Sequence, residues 1–249
     1  MSIVVPAVLP NSKQDLDEKL ALLAYVPSVF RIQLDAVDGQ FASPASWPYS
    51  APSSLEATKG HSKATKGRPT EIEAMVQQGN LLPQLDRIEY EIDLMCLDAA
   101  HSAEAWLALG ASRLTFHAES ATDLPRLLAY VRKRYGTVVS FGLALNIASD
   151  LALIEPVLGG IDYVQFMGIA RIGRQGQPFD ERVLENVRVF RARHPDVPVQ
   201  IDGGISLANA RKLLGLGVSN LVIGSAILRA RDPAAAIAAF EMLKSPYGV

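Results

Sequence analysis

The chain repeats one unit eight times: a short β-branched run, then a longer stretch with helical periodicity. The strand-like runs are IVVPAVL (3–9), VFRIQLD (29–35), IEYEIDLM (88–95), RLTFHA (113–118), VVSFGLAL (138–145), DYVQFMG (162–168), VPVQIDG (197–203) and NLVIGS (220–225). Amphipathic stretches follow them at 15–26, 102–110, 121–136, 149–158, 180–194, 206–217 and 232–243, with PTEIEAMVQQ (69–78) the faintest. Strands alternating with helices pair in parallel, because a helical crossover is what returns the chain to the same end of a sheet. Eight such units in 249 residues predict an α/β fold, one (β/α)8 TIM barrel, over residues 1–249. The competing open doubly wound sheet wants a glycine-rich turn after its first strand. AVLPNSKQ has no glycine.

Composition narrows the function classes. A net charge of −2 offers no basic footprint for nucleic acid or an anionic membrane. The single Cys96 cannot form an internal disulfide, which fits a reducing cytoplasm. No window approaches the roughly 20 apolar residues of a membrane span, and MSIVVPAVLPNSKQD lacks the flank and core of a signal peptide. A cytoplasmic globular protein is expected. One segment breaks the rhythm: about 56–80, containing the Lys- and Gly-rich ATKGHSKATKGR (57–68). It reads as an exposed insertion, with a phosphate-seeking lid as the alternative.

A barrel of this kind works at the C-terminal ends of its strands. Strand 1 brings apolar Ala7 and Leu9 there, strand 2 Gln33 and Asp35, strand 3 Asp93 and Met95, and strand 4 His117 and Glu119. Strands 5 to 8 bring Asn146, Met167, Asp202 and Gly224–Ser225. Side chains alternate along a strand, so if Leu34 faces the helices, Gln33 and Asp35 face inward. The same parity turns Asp93 inward, and Asp35, Asp93 and Asp202 converge on one mouth. Burying three carboxylates costs several kcal/mol unless a proton or cation is shared among them. Asp38, followed by Gly39, reads as a turn cap.

The runs IDGGIS (201–206) and VIGSAI (222–227) end strands in Gly203–Gly204 and Gly224–Ser225 just before helices. Glycines there let backbone N–H groups approach an anion, and the loops after strands 7 and 8 are the usual phosphate site of a TIM barrel. The loop after strand 6, GIARIGRQGQPFD, brings Gly173, Gly176, Arg171 and Arg174 towards the same place.

In order along the chain, LDAVDGQF, IDLM, FHAES, GLALN, QFMG, GQPF, IDGGI and IGSAI resemble the motifs of the ribulose-phosphate 3-epimerase family. The resemblance runs from Val5 to about Leu243 and implies an isomerase of carbohydrate metabolism, in the pentose phosphate pathway. Such an enzyme inverts C3 of D-ribulose 5-phosphate to give D-xylulose 5-phosphate through a 2,3-enediolate. It implies that Asp35 and Asp202 are the two proton-transfer acids, facing each other across the mouth. It also implies that Met95 and Met167 pack around the sugar, that the glycine loops hold the phosphate, and that the chain forms a homo-oligomer.

The departures are specific. The family pattern has histidine at both Gln33 and Asp93, and with the two acids those histidines ligate a divalent metal. It has serine at Ala7 and P-N where ASPAS (42–46) stands, and its strand-6 loop is one residue shorter than RIGRQGQPF. Three readings follow. Gln33, Asp35, Asp93 and Asp202 form an all-oxygen set suited to Mg²⁺ or Mn²⁺ rather than Zn²⁺; or epimerisation proceeds without metal; or the chain binds a sugar phosphate without epimerising it. An epimerase for a different ketose phosphate is a further alternative, because Ala7 and the altered loops sit where the distal end of the sugar is read. A decarboxylase-type barrel would need a lysine near the mouth, and the strand ends supply none. His117 reads as a packed, hydrogen-bonded histidine, while His61, His101 and His194 lie in loops or helices without a ligand pattern.

Overall fold

The computed structural model describes residues 2–49 and 71–244. The predicted loop 57–68, with His61, lies outside these. Eight strands close a barrel in chain order: β1 (Val4–Val8), β2 (Arg31–Val37), β3 (Glu89–Met95), β4 (Arg113–His117), β5 (Ser140–Leu145), β6 (Tyr163–Met167), β7 (Val199–Asp202) and β8 (Asn220–Ile223). The helices are α1 (Lys13–Ala24), α2 (Glu71–Gln77), α3 (Ala99–Ala108), α4 (Leu124–Tyr135), α5 (Arg182–Arg193), α6 (Leu207–Gly215), α7 (Ser225–Leu228) and α8 (Pro233–Glu241). No helix among the described residues is long and apolar enough to cross a membrane.

Helix starts follow capping chemistry. Ser12, Asp98, Asp123 and Asp232 each accept a first-turn backbone N–H with their side chains, opening α1, α3, α4 and α8. A cap of this kind contributes about 1 kcal/mol. The faint periodicity at 69–78 becomes α2, whose Ile72 is buried in the core. The stretch 149–158 is not the α-helix its periodicity predicts. It forms two 3-10 turns, Leu151–Leu153 and Glu155–Gly160. Pro156 disfavours helical backbone at the residue before it and lacks an N–H, and Gly159 and Gly160 hold helix poorly.

Parity divides each strand. Ile32, Leu34, Ile92, Leu94, Phe116, Phe141, Phe166 and Ile201 face outward and join Leu16, Leu20, Trp106 and Phe190 in the main core. Each such side chain contributes about 1.5–3 kcal/mol by leaving water. The opposite parity points into the barrel and is largely polar: Gln33, Asp35, Glu91, Asp93, Thr115, His117, Gln165, Gln200 and Asp202 are all buried. Buried polar groups need partners, and here they form a column. Near its base Glu91 accepts from Arg113 Nε at 3.0 Å and from Thr115 Oγ1 at 3.1 Å. Gln200 Nε2 donates to Glu91 and to Gln165 Oε1, and Gln165 Nε2 donates to Asp93 Oδ2 at 2.9 Å.

Candidate active site

At the top of that column the predicted acids meet. Carboxylate oxygens of Asp35, Asp93 and Asp202 lie within 4.8 Å of one another, and all three residues are buried. Adjacent strands explain part of this, since Asp35 pairs in register with Asp93 across β2–β3. Closure of the barrel supplies Asp202 from β7. Asp35 is pinned by Ser46, whose hydroxyl donates to the Asp35 carbonyl and accepts the Val37 N–H, both at 2.9 Å.

Gln33 lies between the acids. Its Nε2 donates to Asp35 Oδ1 at 2.9 Å and to Asp202 Oδ2 at 3.0 Å. Its Oε1 is buried without a partner. The cation reading, one of the three, needs this side chain's oxygen towards the acids; in the structure it is the amide nitrogen that faces them, and a half-turn of the amide exchanges the two.

Electrostatics follow from the packing. Burial, then the neighbouring Asp93 charge, raises Asp35 from the ordinary 3.8 to about 7, against the opposing pull of the Gln33 hydrogen bond. Asp202 is likewise held well above the ordinary carboxylate range, by burial and then by Asp35 and Asp93. Two like charges this close in a desolvated site do not both ionise, so at neutral pH the pair retains a proton. His117, fully buried, donates through Nε2 to Asp93 Oδ1 at 2.9 Å. Burial alone would lower its pKa, but the charge and hydrogen bond of Asp93 raise it above the ordinary histidine value. The Phe41 ring packs on His117 with centroids 5.2 Å apart.

Asp35 and Asp202 open onto a cavity that also has Met95, Met167, Gly173, Gly176, Gly203, Gly204, Gly224 and Ser225 in its walls. The loop ends are therefore brought to one place by the fold. Gly204 (φ +68°) is required by a close approach: a Cβ there would stand 2.5 Å from the Phe179 Cα. Arg174 and Ala7 also line the cavity, whereas Arg171, Gln33 and Asp93 do not. Glu119 accepts from the Asn146 N–H at 2.7 Å and from Ser149 Oγ, tying the β4 and β5 ends together. Asp38 is a turn cap, accepting the N–H groups of Gln40, Phe41 and Leu97. His101 pairs with Glu73 and His194 lies beside Glu155, away from the cavity.

Sequence reasoning missed Glu91, Gln165 and Gln200. Each sits two residues before a strand-end site residue, at the inward parity, and that spacing was the available signal. Gln175, which also lines the cavity, was missed because loop direction has no period.

Fold and site together define a class: a (β/α)8 barrel with a buried carboxylate pair at its mouth. The family model described as the ribulose-phosphate 3 epimerase family matches residues 72–228, and the chain belongs to that family. The match begins after β2, so Asp93, Asp202 and the glycine loops lie inside it and Gln33 and Asp35 outside. Curated relatives include ribulose-phosphate 3-epimerase of Buchnera aphidicola, 34% identical over 118 residues, covering 46% of this chain and 50% of that one. The Escherichia coli K12 protein of the same name is 27% identical over 146 residues, covering 57% and 63%. The match thus spans about half to two thirds of those relatives' lengths. Among solved structures, 3-hexulose-6-phosphate synthase from Salmonella typhimurium superposes with a TM-score of 0.63 at 14% identity, covering 98% of both chains. KGPDC from Streptococcus mutans gives 0.62 at 14%, covering 98% of this chain and 97% of that one. At such identities the likeness is one of fold.

Proposed function

We propose that this chain is an epimerase that inverts C3 of a ketose phosphate, converting D-ribulose 5-phosphate to D-xylulose 5-phosphate. The observation that carries this is the buried pair Asp35 and Asp202, bridged by Gln33 and opened onto a cavity whose walls include the glycine loops. Inversion needs one ionised carboxylate to remove the C3 proton and one carboxylic acid to return a proton to the opposite face. Burial has prepared that division of labour, with acidities moved towards the working pH. The phosphate is held by backbone N–H groups of Gly203, Gly204, Gly224 and Ser225, with Gly173 and Gly176 closing from β6. Met95 and Met167 exclude water from the sugar.

The donor set fits a hard divalent cation. Three buried carboxylates converge, and a half-turn of the Gln33 amide, whose Oε1 has no partner where it lies, would turn an oxygen towards them. Asp35, Asp93, Asp202 and Gln33 would hold it, with Mg²⁺ or Mn²⁺ favoured over Zn²⁺ because every donor is oxygen. When bound, such an ion polarises the substrate C2 oxygen and stabilises the charge that develops there. Gln33 in its present orientation lowers the proton affinity of both acids by donating to them.

The test is proton NMR of D-ribulose 5-phosphate in D₂O with purified protein, run as isolated, after chelation, and with Mg²⁺ or Mn²⁺ restored. Deuterium entering C3 as D-xylulose 5-phosphate forms is the expected result. Asp35→Asn and Asp202→Asn should each cost at least about 100-fold, the lower range for a positioned proton-transfer group. Binding of the ketose phosphate without exchange in any sample would instead favour a non-epimerising sugar-phosphate binder, the reading that the replacements at Gln33 and Asp93 invite.

A further inference from the structure

The β6 loop crosses the barrel mouth. Arg174 Nε donates to the Ser43 carbonyl at 3.1 Å, beyond β2, and Gln175 Nε2 donates to the Ala7 carbonyl at 3.1 Å, on β1. The Gln175 carboxamide lies directly over Gly224: a Cβ at 224 would stand 2.5 Å from its Nε2 and 3.0 Å from its Cδ. As placed, the side chain occupies the space a Cβ at 224 would take, and it lines the cavity it enters.

Its place in the strand order is informative. In the closed barrel β1 stands between β8 and β2. A group bridging Gly224 and Ala7 therefore lies between the glycine-bearing end of β8 and Asp35. On the proposed function, on which this inference rests, the phosphate sits at the first and the reacting C3 at the second. C4 and C5 join them, and of the two only C4 carries a free hydroxyl. Ala7, the β1 residue at this wall, has no polar side chain to meet that hydroxyl. A carboxamide both donates and accepts, which suits a neutral hydroxyl rather than a phosphate that only accepts.

We infer that Gln175 is a specificity-determining residue that reads the C4 hydroxyl of the ketose phosphate. Its Nε2 has two hydrogens, of which the Ala7 carbonyl takes one, and its Oε1 accepts no hydrogen bond among the described residues, leaving an acceptor for the ligand. Sites built to hydrogen-bond a hydroxyl reject the analogue lacking it, because their polar groups are then left unpaired.

The experiment pairs a change in the ligand with a change in the protein. kcat/KM is measured for D-ribulose 5-phosphate and for its 4-deoxy analogue, on wild type, Gln175→Ala and Gln175→Met. Methionine keeps the length and the packing over Gly224 without the amide. The expected result is that the preference of wild type for the 4-hydroxy substrate falls by about tenfold in both variants, the size of one hydrogen bond to a neutral group. A merely structural role would lower both substrates in parallel and leave their ratio unchanged, and that outcome overturns the inference alone. If wild type turns over neither ketose, the proposed function fails and this inference with it.

Discussion

Replacing Asp35 with asparagine removes a negative charge from the most crowded part of the barrel while keeping the side chain's shape and its ability to accept from Gln33. The folded protein holds the Asp35 carboxyl at about 7 instead of 3.8. A group whose pKa is raised on folding contributes stability that is complete below the unfolded value and lost as pH rises through the folded one. Ionised Asp35 therefore costs the native state up to about 4 kcal/mol above pH 7, at 1.36 kcal/mol per unit. The neutral amide carries no such penalty. Asp202, freed of its neighbour's charge, is raised less and adds to the relief, so a net gain of about 4 kcal/mol is expected at pH 8 and close to none at pH 4. The assay is urea unfolding of chelated wild type and Asp35→Asn at both pH values. The variant should be the more stable protein at pH 8 and the catalytically silent one, a cost often seen where active sites are tuned against stability. A stability difference that does not change between pH 4 and pH 8 would refute the claim that burial raises this carboxyl.

Other expectations follow from the same packing. Gly204→Ala places a Cβ 2.5 Å from the Phe179 backbone at a φ of +68°, so it should destabilise by more than about 1 kcal/mol and weaken protection of the protein by inorganic phosphate in thermal melts. Arg113→Met takes the 3.0 Å cation from the fully buried Glu91 and leaves it only Arg31 Nη1 at 4.0 Å, and a loss of about 3 kcal/mol in urea unfolding is expected, the low end for a broken buried pair. Mn²⁺ added to chelated protein should raise the melting temperature in wild type and much less in Asp93→Asn, because ligands must be deprotonated and Asp93 is one of the three converging carboxylates. An equal rise in both proteins would place the ion elsewhere.

The rest of the polar barrel interior has a consequence for how the site is held. Asp93 accepts from His117 on one oxygen and from Gln165 on the other, and Gln165 is in turn held by Gln200. A carboxylate fixed at both oxygens keeps its position as the neighbouring acids change charge. Such support is what a proton-transfer site needs, since a small misplacement of the reacting groups is costly in rate.

What the sequence determined by itself is whatever depends on local period. Two-residue alternation sends Gln33 and Asp35 inward together and Leu34 outward, and eight repeats of strand and helix leave a closed parallel barrel as the economical fold. That fold in turn fixes which end of each strand bears the site, so Asp35, Asp93, Asp202 and the glycine pairs were legible as one group. Where local rules compete, the reading weakened: the apolar spacing of 149–158 suggested a helix, and Pro156 with two glycines decided otherwise. The tertiary structure alone decided the partners. Gln33 bridges Asp35 and Asp202, the latter 169 residues away along the chain. His117 finds Asp93, and Gln175 reaches Ala7 across 168 residues over a bare Gly224. Parity gives a side chain its direction, but its hydrogen-bond partner depends on the stagger of strands round the closed barrel and on where a loop crosses the mouth. Those are long-range quantities, and no window of neighbouring residues contains them.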